Sequence, residues 1–155
     1  MATITAWRLV KPEYAATAYS GEGARRFGGR WNPMGYSMAY ASESRALAAL
    51  EMLVHLRELR LIESLMLVPC RFDSAEMEVL ETAEIPRDWK VRHGDAVTQD
   101  FGARWIENAS SAVLAVPSVV VPAEKNYLFN PGHPRFGECK VGRAEGFEFD
   151  SRLSA

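Results

Sequence analysis

Two arginines, a tyrosine and a glutamate stand out in this chain for what their side chains can do to a charged ligand. Arg30 lies in a loop with glycines at 21, 23, 28, 29 and 35, and Arg8 sits among apolar neighbours in ITAWRLV. A guanidinium is a planar fork of donors that grips an anion by two oxygens at once. Tyr40 closes the alternating run Tyr36, Met38, Tyr40, and Glu51 falls inside an apolar segment. An unpaired carboxylate in apolar surroundings is costly, so Glu51 needs either a partner or a chemical task. On residue types alone, Arg30 and Glu51 rise furthest above background.

The elements that must position these groups follow from glycine content and apolar periodicity. The glycine-rich stretch reads as an irregular loop that permits close backbone approach, closed by a turn at Asn32 and Pro33. Residues 36–40 alternate at period two and predict a short strand. Ser42 or Ser44 then caps a helix running to about Glu58. Ala46, Leu47, Leu50, Leu53 and Val54 cover one face of it, and Ala48, Ala49, Met52 and Leu56 the other, so the helix is expected to be buried all round. A plain structural alternative for Glu51 is an ion pair with His55 at i,i+4 spacing, or a helix edge that reaches water.

Further along, residues 4–10 predict a first strand and 13–19 a short helical turn. Residues 60–71 form a β-like run stopped by Pro69, and Met77 to Leu80 a brief strand. Glu84 to His93 reads as a loop. Val97, Phe101 and Trp105 are spaced for a helix over 95–108, although Gly102 weakens it. Ala112–Val116 and Val119–Val121 read as buried strands on either side of Pro117 and Ser118. Tyr127–Phe129 and Gly146–Phe149 add two more. Strands in both halves around two convincing helices predict an α+β fold. Neither a dinucleotide-binding Gly-rich turn nor a phosphate-loop lysine motif is present.

Composition sets the outer bounds. The 155 residues suit a single domain. A net charge of −2 gives no field that would draw in nucleic acid or an anionic membrane. The N-terminus lacks the pattern of a secretory signal, and no apolar run approaches a membrane span. Cys70 and Cys139 are isolated, without disulfide or metal-type spacing. A cytoplasmic protein without bound metal is expected.

The order of the short motifs carries more than any one of them. Gly21-Glu22-Gly23-Ala24, Gly28-Gly29-Arg30-Trp31-Asn32, Tyr40 and Leu50-Glu51 are followed by Val116-Pro117-Ser118, Asn126-Tyr127-Leu128, Asn130-Pro131 and His133-Pro134. With the tail Phe147 to Leu153, this series resembles the RES domain family, toxins of bacterial type II toxin–antitoxin pairs named for an Arg, a Glu and a Ser. The resemblance implies one RES domain over residues 1–155. The implied fold is like that of ADP-ribosyltransferases, two small twisted sheets with flanking helices around an NAD cleft. It also implies an enzyme that cleaves the nicotinamide–ribose bond of NAD by hydrolysis or phosphorolysis, or transfers ADP-ribose to a protein. Glu51, Arg30, Tyr40 and Ser118 are the implied catalytic residues. Arg8, Arg30, Tyr40 and Asn126 are the implied NAD-binding residues, with NAD as substrate and no metal. The implied partner is a helix-turn-helix antitoxin of Xre type whose end fills the cleft. DNA would be met only through that antitoxin, there is no membrane partner, and an oligomer of toxin–antitoxin units stays open.

Plainer readings stand beside these roles. Arg25 and Arg26 suit a solvated face, and Ser118 can satisfy a backbone group at a bend. Asn126, Asn130 and His133 suit turns. An RNA-cleaving toxin is disfavoured by the mild acidity, and a non-catalytic binding module would use the Gly-rich loop only as a grip.

Overall fold

The computed structural model describes residues 2–56, 64–90 and 96–154. Its longest pairing joins β1 (Thr3–Val10) to β3 (Leu65–Asp73), antiparallel from Thr3 opposite Asp73 to Val10 opposite Met66. Pro69 does not stop β3 as expected, but lies opposite Trp7 within it. Its carbonyl accepts from the Gly142 amide at 2.8 Å, so this side of Pro69 faces away from β1 and the missing N–H costs that ladder nothing.

The remaining strands are β2 (Ala39–Ser42), β4 (Met77–Val79), β5 (Val113–Pro117), β6 (Lys125–Phe129), β7 (Lys140–Val141) and β8 (Glu145–Phe147). Among the described residues they run in the order β4-β5-β6-β2-β1-β3-β7, with β8 also on β3. Only β4 and β5 are parallel. The two halves meet at β1 and β2 through one paired position, Trp7 opposite Ser42. The two small sheets expected from the resemblance are thus halves of one mixed sheet, joined at a narrow waist.

Three α-helices flank this sheet among the described residues. The first, α1 (Glu22–Phe27), interrupts what the sequence suggested was irregular loop. Its Arg25 and Arg26 pair with Glu22 on an exposed surface, as a solvated face should. The second, α2 (Arg45–Leu53), is capped by Ser44, whose hydroxyl accepts from the Leu47 amide at 3.0 Å. It packs Ala48 against β1 and β3 and buries Leu47 as well, while Leu50 and the C-cap Val54 are 41% and 58% exposed. The expectation of a helix buried all round is therefore corrected. Its apolar far side is presented outward, and the helix ends at Leu53 with Val54 as its C-cap, short of the expected end near Glu58.

The third helix, α3 (Ala96–Asn108), packs Trp105 into a core with Trp31, Trp89, Leu114 and Leu128. Gly102 is required there, because a Cβ would stand 1.6 Å from the Trp31 carbonyl oxygen. Val119–Val121 is not a strand. The Ser118 hydroxyl accepts from the amides of Val120 and Val121, both at 3.1 Å, and bends the chain into the β5–β6 connection. Cys70 and Cys139, distant in sequence, lie buried and unbridged in the same core cluster. No described helix is long and apolar enough to cross a membrane.

Candidate active site

A cleft of about 1010 Å³ opens at the waist of the sheet. Its walls come from β1, β2, α1, α2, the loop after α1 and the start of β6. Arg8, Arg30, Tyr40, Glu51 and Asn126 all line it. Five positions spread over 118 residues of sequence are therefore brought to one cavity by the topology.

Glu51 is half-buried on α2 and held through a single carboxylate oxygen. Its Oε2 accepts from the Ser118 hydroxyl at 2.7 Å and from the Asn126 amide nitrogen at 2.5 Å. Both donors are neutral. They fix the direction of the carboxylate and leave its negative charge uncompensated by any cation in these contacts. Ser118 itself is fully buried behind Glu51 and does not line the cleft. Its hydroxyl joins the β5–β6 bend to the glutamate.

Asn126 stands directly across from Ser42 in the β2–β6 ladder. Its carbonyl oxygen accepts from the Ser42 hydroxyl at 2.7 Å while its amide nitrogen faces Glu51. Ser42 was foreseen only as a helix cap, a task that falls to Ser44. Its contact with Asn126 depends on strand register, which the local sequence does not display.

Arg8 is half-buried, and its Nη1 donates to the Tyr40 carbonyl at 2.9 Å. Among the described residues its Nε has no hydrogen-bond partner. Burial pulls the guanidinium below the ordinary arginine value, while the nearby Tyr19 and Tyr40 push it back up. A buried donor without an acceptor is costly, so this nitrogen is a source of strain in the wall of the cleft. Arg30 anchors one end of its fork, Nη1, on the Trp89 carbonyl at 2.9 Å. Its own carbonyl accepts from the Thr98 hydroxyl at 2.6 Å, which ties the loop to α3.

Tyr40 locks the Gly-rich turn rather than only offering a ring face. Its hydroxyl accepts from the Trp31 amide at 2.9 Å and donates to the Asn32 side-chain oxygen at 2.7 Å. Burial pushes this phenol well above its usual value, so it remains a neutral donor. Asn32, read from sequence as a turn residue, is fully buried and donates to the carbonyls of Ala24, Pro33 and Tyr36. Gly29 is needed for this arrangement, since a Cβ there would lie 2.7 Å from the Tyr40 hydroxyl and 2.9 Å from the Asn32 oxygen. Among the described residues no three His, Cys, Asp or Glu side chains gather where they could hold a metal ion.

This geometry coincides with a family pattern. A family model described as RES domain matches residues 5–150. The chain belongs to the RES domain family. It is 36% identical to a protein named Toxin Res from Yersinia enterocolitica over 148 residues, covering 95% of this chain and 97% of that one. It is also 36% identical over 156 residues to a Sphingobium protein named Prs ADP-ribosylating toxin, covering 97% of each. Among solved structures, the Mycobacterium tuberculosis MbcT–MbcA toxin–antitoxin complex contains a chain of the same fold. The TM-score is 0.77 at 20% identity, over 99% of this chain and 87% of that one. A mixed α+β domain with a curled sheet and few helices is therefore the RES fold. Within that fold Arg30 and Glu51 lie on the cleft wall and Ser118 immediately behind Glu51.

Proposed function

We propose that this chain is the toxin of a bacterial toxin–antitoxin pair and that it consumes NAD by breaking the nicotinamide–ribose bond. The observation that carries this reading is the Glu51 carboxylate, held on a cleft wall by two neutral donors, with Arg8 and Arg30 lining the same cavity. A cleft of about 1010 Å³ is large enough for a dinucleotide. The half-buried guanidinium of Arg8 suits a phosphate oxygen, and Arg30 supplies a second guanidinium on the same cleft.

Nicotinamide leaves NAD as a neutral molecule, taking the bonding pair of the C–N bond. The ribose carbon left behind gains positive charge and is captured by an oxygen nucleophile that then gives up a proton. Little acid catalysis is needed. What helps is a negative charge already in place where the cation develops, and Glu51 supplies it without reorganisation. A carboxylate already neutralised by arginine would do this far less well.

The acceptor divides the two forms of the reaction. Water or phosphate as acceptor depletes NAD. A protein acceptor is favoured by one observation, the 36% identity to a relative named Prs ADP-ribosylating toxin. An antitoxin partner is supported by the likeness in fold to a chain of a toxin–antitoxin complex. It is supported also by exposed apolar side chains lining the cleft, Phe27 at 81% and Val54 at 58% exposure. We assign the antitoxin, of helix-turn-helix type, to those side chains.

Incubation of the purified chain with NAD, with and without phosphate, tests the reading. Free nicotinamide should accumulate, and mass spectrometry of the second product should show ADP-ribose, its 1-phosphate, or a protein heavier by one ADP-ribose. Absence of nicotinamide with every acceptor would overturn it.

A further inference from the structure

Glu51 owes its orientation to a chain of contacts that begins one strand away, at a residue outside the motif series. Ser42 is 3% exposed at the end of β2. It occupies the waist of the sheet, paired with Trp7 on β1 and with Asn126 on β6. Directly opposed residues of an antiparallel pair share a face, with side chains close enough to touch. The Ser42 hydroxyl donates to Asn126 Oδ1 at 2.7 Å, and Asn126 Nδ2 donates to Glu51 Oε2 at 2.5 Å. Both Ser42 and Asn126 line the cleft.

We infer that Ser42 is a positioning residue for the reaction, acting on Glu51 only through the Asn126 amide. The inference rests on the NAD-cleaving reading of the same site. An asparagine amide has two chemically opposite ends, a donor and an acceptor. An ionised carboxylate accepts only, so the productive orientation turns the NH₂ towards Glu51 and the carbonyl away. Ser42 supplies the donor that the carbonyl then needs, which holds the amide plane in register with the carboxylate. Without that hydroxyl, Oδ1 lacks this donor and the amide can rotate, bringing its oxygen against the Glu51 oxygens. Ser118 still holds Oε2, so the carboxylate loses its aim without losing every support.

The consequence is selective. Ser42 has no charge and its hydroxyl is engaged with Asn126, so its loss should fall on kcat and spare KM. Ser42→Ala should lower kcat for nicotinamide release by about tenfold, the factor that corresponds to one hydrogen bond of about 1.4 kcal/mol. Ser42→Thr, which keeps a hydroxyl on a strand-compatible side chain, should recover most of that loss. In an Asn126→Ala background, Ser42→Ala should have no further effect, because the residue it acts through is gone.

The measurements are kcat and KM for the wild type, S42A, S42T, N126A and the S42A/N126A double variant. They are accompanied by the ¹⁵N–¹H signals of the Asn126 side-chain amide in wild type and S42A. In S42A the amide signals should shift and exchange faster with water. Unchanged amide signals, an unchanged kcat, or losses in S42A and N126A that simply multiply would each overturn the proposal. A wild type that releases no nicotinamide would overturn the reaction assigned to the site, while the amide signals still decide whether Ser42 holds Asn126.

Discussion

Two glutamates of this chain are held in opposite ways. Glu76 is buried beside β4 and takes a two-point grip from Arg135, Nε at 2.9 Å and Nη2 at 2.6 Å. Glu51 is held just as directly, but by a serine hydroxyl and an asparagine amide. The first carboxylate has its charge answered by a cation, and that fork holds it below its ordinary value of 4.5. The second keeps its charge for whatever enters the cleft. Burial of a carboxylate is thus a poor guide to its role, and the charge of its donors is a better one.

The largest effect is expected from making Glu51 resemble Glu76. Asn126→Lys sets an ammonium within reach of the Glu51 carboxylate, with the open cleft to accommodate its length. Nicotinamide release should fall by more than about a hundredfold, the scale of losing one electrostatic stabiliser, and further than in Asn126→Ala. Steady-state kinetics with a melting control checks this. Activity in N126K equal to that in N126A would mean that the charge of the donors is irrelevant.

A smaller loss, about tenfold, is expected in Arg30→Lys. Lysine keeps a charge but cannot hold the Trp89 carbonyl and a ligand oxygen with one planar fork. KM should carry most of the change if ground-state binding is lost. A fall confined to kcat would shift the role of Arg30 from grip to orientation.

The smallest effect on turnover belongs to Glu76→Gln, which should leave kcat near wild type and lower Tm. Its sign with pH follows from the lowered carboxyl. Stability from the Glu76–Arg135 pair is fully present above the ordinary carboxylate value of 4.5 and is lost as pH falls through the lower folded value. The Tm gap between wild type and E76Q should therefore narrow in acid. Calorimetry from neutral pH down to about pH 3 measures it, and a gap that widens in acid would contradict the pairing.

The same contrast explains what could be read from the sequence. Arg8, Arg30, Tyr40, Glu51 and Asn126 are all legible in the sequence as candidates, and the fold brings all five to one cleft. The α+β character and the helix over α3 were legible from periodicity. What stayed hidden depends on contacts across the sheet. Glu76 went unremarked because Arg135 reaches it from the connection after β6, far along the chain. Ser42 meets Asn126 only through the β2–β6 register. Gly102 reads locally as a weak point in a helix, yet it lets α3 lie against the Trp31 carbonyl. The outward Leu50 of α2 and its C-cap Val54 read as core in the sequence because apolar composition does not say which face meets solvent.

The most direct test of the central claim compares Glu51→Gln with Glu76→Gln for nicotinamide release under the same conditions. The amide keeps the shape of each side chain and removes only its charge. Glu51→Gln should lose at least about a hundredfold in kcat with little change in Tm, while Glu76→Gln keeps its turnover and melts earlier. A well-folded Glu51→Gln that cleaves NAD at the wild-type rate would contradict the account.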